Sequence, residues 1–265
     1  MRFRKGTRVP WRPLSRSRRL ARVAAFQAPL LPVGSMAAIE LIAERVRWCE
    51  ATSVAILCCP EAILGGLADQ AERPADLALN VATGELGRVL QPLTSATVTT
   101  IIGFTERGAD GLLYNSAAVF HQGAVAGVYR KRHPAIRRSV YQPGDAMPVF
   151  TASGVSFGII ICNDSNYPAL GRDVAAQGAT VLFIPSNNAL PTENADVVDA
   201  SRNADMALAK ANRLMVIRAD VAGRQDDRVS YGSSAIVGPH GEVRQSGARF
   251  EAGLLVADTE GECHE

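Results

Sequence analysis

The chain has 265 residues, 47% of them hydrophobic and 20% charged, a globular balance long enough for one large domain with a substantial core. No apolar stretch approaches the roughly 20 residues a membrane span needs, which argues against a membrane partner. The formal charge of +2 hides an uneven distribution: eight of the 28 basic residues lie in residues 1–20, which hold no acidic residue, leaving 20 basic against 26 acidic, a body charge of −6. That acidic body speaks against nucleic acid as a partner.

The basic head, residues 1–20, lacks the apolar core of a secretory signal and reads as a disordered extension. Residues 21–265 read as a single domain, with no internal repeat or low-complexity linker. The five cysteines (Cys49, Cys58, Cys59, Cys162 and Cys263) are irregularly spaced and form no CxxC pair. Neither a disulfide framework nor a metal site is suggested, and reduced thiols in a cytoplasmic protein fit this usage.

In chain order, residues 22–27 (RVAAFQ) predict a first strand. Ser35 is an N-cap candidate for a helix to about residue 52, with Ile39, Ile42, Val46 and Cys49 on one face. Residues 54–59 form a buried apolar strand ending in Pro60-Glu61, and residues 84–94 an amphipathic helix through Leu86, Val89, Leu90 and Leu93. A strand over 97–103 follows. Residues 116–120 and 125–129 flank His121-Gln122-Gly123-Ala124 as a hairpin. Residues 157–162, 168–177 and 180–185 read as a strand, a helix and a strand. A long helix over 196–212 turns Val197, Ala200, Ala204, Leu208 and Ala211 inward. Strands over 215–220, 233–237, 242–246 and 254–258 close the chain. Helices alternating with strands, with hairpins interspersed, argue an α/β fold with sheet of mixed direction.

Three of these strands end on reactive side chains: Glu61, Lys131 and Cys162. The C-terminal edge of an α/β sheet is where sites are built. A thiol nucleophile needs a base to take its proton and a donor to hold an oxyanion. Glu61 can be that base and Lys131 that donor, and a lysine also favours the thiolate. The backbone N–H of Asn163 can be a second oxyanion donor. The set supports acyl transfer from a small-molecule amide or nitrile through a thioester. Tyr167, Asn187 and Asn188 follow strand ends on the same edge and are pocket-lining candidates. Arg137 can bind a substrate carboxylate through its planar fork, or pair at the surface. His133 and Asp164 read as turn-fixing residues, and Cys58 and Cys59 as packing.

The ordered set of motifs resembles the carbon–nitrogen hydrolase (nitrilase) superfamily, over residues 22–258. Its carriers are Ala24-Ala25-Phe26-Gln27, Cys58-Cys59-Pro60-Glu61, Tyr114-Asn115-Ser116, Tyr129-Arg130-Lys131-Arg132-His133-Pro134, Pro143-Gly144-Asp145, Gly158-Ile159-Ile160-Ile161-Cys162-Asn163-Asp164 and Tyr231-Gly232-Ser233-Ser234. The resemblance implies a four-layer α-β-β-α sandwich with two mixed sheets, a second subunit in a homodimer or larger homo-oligomer, no cofactor, and a Glu-Lys-Cys triad on Glu61, Lys131 and Cys162. Asn163-Asp164 after the cysteine, where nitrilases tend to carry Trp-Glu, points to the amidase and carbamoylase branch. Arg137 stands where family members commonly carry a second glutamate, and Ala169 where Tyr-Pro-Glu is frequent. The expected activity is hydrolysis of an amide or N-carbamoyl substrate. Nitrile hydrolysis, acyl transfer to an amine and non-catalytic ligand binding are the alternatives on the same fold.

Overall fold

A computed structural model describes residues 20–135, 138–191 and 196–259. The basic head up to residue 19, Arg137 and Cys263 lie outside the described residues.

The elements run β1 (Arg22–Pro29), α1 (Ala38–Ala51), β2 (Val54–Cys58), α2 (Glu85–Val89), β3 (Thr99–Arg107), β4 (Leu113–His121), β5 (Ala124–Arg130), β6 (Val149–Ala152), β7 (Val155–Ile159), α3 (Pro168–Ala176), β8 (Val181–Pro185), β9 (Leu190–Pro191), α4 (Val197–Asn212), β10 (Met215–Ala219), β11 (Val221–Gln225), β12 (Arg228–Tyr231), β13 (Ala235–Val237), β14 (Val243–Ser246) and β15 (Gly253–Asp258). Among the described residues they form two mixed sheets. One has the order β5-β4-β3-β2-β1-β11-β12-β9 with β15 also on β1, the other β14-β13-β10-β8-β7-β6.

The two sheets pack face to face and helices cover the outer faces, giving the four-layer α-β-β-α sandwich. Period-two alternation sorts each strand between two cores. Val23, Ala25, Ile56 and Cys58 join Ile159, Phe183 and Ile217 in the cluster shared with the second sheet. Ala24, Phe26, Leu57 and Cys59 turn the other way, onto Ile42, Val46 and Cys49 of α1. Both faces are buried, so these strands read as continuous apolar runs. Cys58 and Cys59 are both packing residues, on opposite faces, and burial pushes both thiols up.

Several boundaries differ from the sequence pattern. Ser35 does not cap α1: the N-cap is Ala37, and the Ser35 hydroxyl accepts only the Ala37 N–H at 3.3 Å. The helix at 84–94 is a five-residue α2 followed by a 3-10 turn over Gln91–Leu93, because Pro92 cannot supply the N–H that would continue the helix. The pairs β6–β7 and β11–β12 went unmarked by periodicity. Each is joined by a tight turn, with left-handed backbone at Ser153-Gly154 and at Asp226.

The largest departure is α4. The alanine pattern turns Ala200, Ala204 and Ala211 inward, but the buried residues are Val198, Asp205, Leu208 and Ala209. Asp205 is fully buried because it meets Arg218 of β10, itself 1% exposed, in a two-pronged pair at 2.6 and 2.7 Å. That pair sets the rotation of the helix, since neither ion can stay buried without the other.

Candidate active site

β7 ends at Ile159, three residues before the sequence pattern places its end. The chain leaves the ladder through buried Ile160 and Ile161 and enters a 3-10 turn over Cys162–Asn166. Cys162 opens that turn at φ +45°, a left-handed conformation uncommon for a non-glycine residue. Such strained geometry persists where its surroundings enforce it. Here Asp164 does so. Its carboxylate accepts the Ile161 N–H at 3.0 Å, the His133 N–H at 2.8 Å and the Tyr129 hydroxyl at 2.8 Å. One buried carboxylate thus ties the cysteine turn to the chain on both sides of Lys131.

Glu61 lies just past β2, and its neighbour Ala62 is also left-handed, at φ +46°. The loop fits because Gly103 of β3 lies beneath it: a Cβ there would sit 2.4 Å from the Pro60 carbonyl oxygen and the Ala62 nitrogen. Lys131 follows β5. The Gly144 N–H donates to the Lys131 carbonyl at 2.8 Å, and a Cβ on Gly144 would come within 2.4 Å of the Arg130 carbonyl oxygen. The Pro-Gly pair of the sequence motif is therefore the floor on which Lys131 rests.

These three side chains line one cavity of about 240 Å³. Lys131 Nζ donates to Glu61 Oε1 at 2.6 Å, with both groups almost wholly buried. Asn115 Nδ2 donates to the same oxygen at 2.7 Å, and the Asn187 N–H donates to Oε2 at 2.9 Å. Burial is the largest influence on Lys131 and opposes its charge, but the Glu61 carboxylate, with Cys162 and Asp164 adding to it, holds the ammonium above its usual range. The Cys162 thiol is pushed up to about 12, chiefly by burial and next by the Glu61 charge, with Lys131 and Arg218 pulling the other way. In this arrangement Cys162 is a thiol, and its S–H points at Asn188 Oδ1, 3.6 Å away.

Of the other candidates, Asn163, Asn187 and Asn188 line the cavity. The Asn163 side chain donates to the His133 carbonyl at 3.0 Å. Tyr167 is not among the lining residues. Its ring is 41% exposed and stacks on His133 at 3.5 Å. Arg137 lies outside the described residues. Among the described residues no cluster of His, Cys, Asp or Glu could hold a metal ion, and no helix is long and apolar enough to cross a membrane.

Sequence reasoning missed Asn115, Asp205, Arg218 and Asp220. Tyr114-Asn115-Ser116 carried the resemblance without assigning Asn115 a role. An arginine inside the apolar run Met215–Ala219 was the visible signal for Arg218. It reaches the Ser165 hydroxyl of the cysteine turn at 3.0 Å and also bonds the Ser186 hydroxyl beside the Glu61 loop.

Residues 22–263 match the carbon–nitrogen hydrolase family model. The chain belongs to the carbon–nitrogen hydrolase family. It is 32% identical over 201 residues to an (R)-stereoselective amidase of a Pseudomonas species, covering 75% of this chain and 69% of that one. It is 31% identical over 166 residues to an N-carbamoylputrescine amidase of Solanum tuberosum, covering 56% and 55%. A carbon–nitrogen hydrolase structure from Helicobacter pylori G27 superposes with a TM-score of 0.79 at 25% identity, over 91% of this chain and 89% of that chain. An amidase structure from a Nesterenkonia species shares the fold, with a TM-score of 0.74 at 22% identity over 90% and 89%.

Proposed function

We propose that the protein hydrolyses the carbon–nitrogen bond of a small amide or N-carbamoyl compound through a thioester on Cys162. The observation that carries this reading is the convergence of Glu61, Lys131 and Cys162 on one small cavity, with Glu61 and Lys131 in contact at 2.6 Å. The amidase and N-carbamoylputrescine amidase relatives support it.

A thiol held up to about 12 is seldom ionised at neutral pH, so its proton leaves during attack and not before it. Glu61 takes that proton as sulfur bonds to the substrate carbon. Lys131 and the Asn163 N–H hold the oxyanion that forms. Glu61 passes the proton to the leaving nitrogen as the carbon–nitrogen bond breaks. It then takes a proton from a water that attacks the thioester, and the thiol is restored as the acid departs. The Cys162 S–H is bonded to Asn188 before substrate arrives, so the thiol rotates toward Glu61 at the start of the cycle. On this reading the protein is a cytoplasmic homo-oligomer that needs no cofactor.

The test is ammonia release across a panel of amides, N-carbamoyl compounds and nitriles, beside Cys162→Ala. Release that vanishes in the variant supports the proposal. Release from nitriles with amides inert would reassign the activity. An acyl adduct on Cys162 trapped by mass spectrometry in Glu61→Gln would show that attack and carbon–nitrogen cleavage proceed without Glu61, and would confine its role to hydrolysis of the thioester.

A further inference from the structure

We infer that Asp69 is a specificity-determining residue, and that it selects an amide substrate whose far end carries a protonated amine. The inference rests on the hydrolase reading above and names the substrate class of that same cavity.

The argument is one of charge balance. Among the described residues, the lining side chains that carry charge at neutral pH are Glu61, Asp69, Lys131 and Arg218. Glu61 is neutralised by Lys131 at 2.6 Å, and Arg218 by the two-pronged Asp205 behind it. Asp69 has only neutral partners among the described residues: its carboxylate accepts the Ser139 hydroxyl at 2.9 Å and the Val140 N–H at 2.7 Å. Among the described lining residues it is the unbalanced charge. Each of its oxygens accepts one of these bonds and keeps acceptor capacity for another.

Asp69 is also held in place. It sits in a 3-10 turn over Ala68–Gln70, whose Ala68 N–H donates to the Tyr141 hydroxyl at 2.6 Å, and Tyr141 in turn bonds the Thr105 hydroxyl at 2.8 Å. A carboxylate fixed in this way loses little freedom on meeting a cation. Between neutral polar residues such as Gln70 and Ser201, the wall has apolar stretches, with Leu67, Pro134, Ala135, Ala189, Val197 and Ala200 suited to methylene groups. A volume of about 240 Å³ limits the guest to a short chain. The fitting ligand is thus a short aliphatic amide or N-carbamoyl compound, its reactive carbon at Cys162 and its ammonium at Asp69. A carboxylate in place of the ammonium would meet Asp69 as a like charge.

The experiment compares kcat/KM for three matched acyl chains, ending in an ammonium, a methyl and a carboxylate, in wild type and Asp69→Asn. Asparagine can keep both local bonds, accepting from Val140 and donating to Ser139. In wild type the ammonium substrate should lead the methyl one by about tenfold or more, with the difference in KM, and the lead should shrink as salt is raised. In Asp69→Asn that ratio should collapse toward one. A wild-type preference for the methyl or carboxylate substrate, or a ratio that survives in Asp69→Asn, would overturn the inference while leaving the hydrolase reading intact. An equal loss on every substrate in the variant would also overturn it, since that marks a purely structural role. Absence of Cys162-dependent turnover on all three would overturn both.

Discussion

The side-chain carbonyl of Asn188 faces the Cys162 thiol at 3.6 Å, and Asp220 is what makes it the carbonyl. Asp220 is fully buried. It accepts the Asn188 N–H at 3.0 Å, Asn188 Nδ2 at 3.2 Å, the Val221 N–H at 2.9 Å, the Ser233 N–H at 3.0 Å and the Ser233 hydroxyl at 2.7 Å. A carboxylate that receives the amide NH₂ leaves only the amide oxygen to point at sulfur. An acceptor there favours the protonated thiol. Asn188→Ala should therefore lower the pH at which Cys162 becomes reactive. The check is the pH dependence of Cys162 alkylation, and an unmoved midpoint would show that the contact does not influence the thiol.

Gly144 offers a test of how Lys131 is positioned. A Cβ at that residue would press on the Arg130 carbonyl and side chain at 2.4 and 2.6 Å, immediately before Lys131. Displacements of about an ångström at a reacting group can cost on the order of a hundredfold in rate. Gly144→Ala should cut kcat at least tenfold. Gly154→Ala, where a Cβ meets open space, is the control for an ordinary turn glycine. It should cost stability through its φ of +81° and leave kcat near wild type. Equal kcat in both variants would refute the proposed role of Gly144.

The Arg218–Asp205 pair predicts a stability effect with a rescue. Asp205→Ala leaves a buried guanidinium without its counterion and should cost about 3–5 kcal/mol in urea unfolding. Replacing both ions by apolar residues, as Asp205→Leu with Arg218→Met, should recover most of that loss. A double variant as unstable as the single one would mean that the serine contacts of Arg218 carry the stability, and not the ion pair.

Alkaline pH should destabilise the protein. Cys49 and Cys162 are each pushed from 9.0 to about 12, chiefly by burial, and Cys58 and Cys59 are raised as well. The unfolded chain loses these protons near pH 9 while the folded one keeps them. The contribution is intact below pH 9 and is lost progressively between pH 9 and about 12. Urea midpoints measured across that range should fall, and Cys58→Ala should flatten the slope. A slope identical to wild type would remove Cys58 from the account.

Much of the site was legible because its signals are local. An apolar run followed by a polar turn marks a strand end, and Glu61, Lys131 and Cys162 each follow such a run. Tyr167 also follows the nucleophile, but stacking on His133 takes its ring away from the cavity wall. No local signal distinguishes those two fates. The helix pattern at α4 misled for a related reason. Periodicity scores alanine as inward and aspartate as outward, and it has no access to an arginine 13 residues away that reverses the preference.

Hydrophobic alternation and turn chemistry act between neighbours in the chain, so the sequence by itself determined the alternation of helices and strands, the burial of β2, and the strand-edge places of the three reactive residues. Tertiary structure decided what those residues meet. The contact of Glu61 with Lys131 spans 70 positions, that of Asn188 with Asp220 spans 32, and that of Asp69 with Val140 spans 71. The direction of a buried charge depends on which partner the fold delivers, because desolvation can be offset only by a group actually within reach.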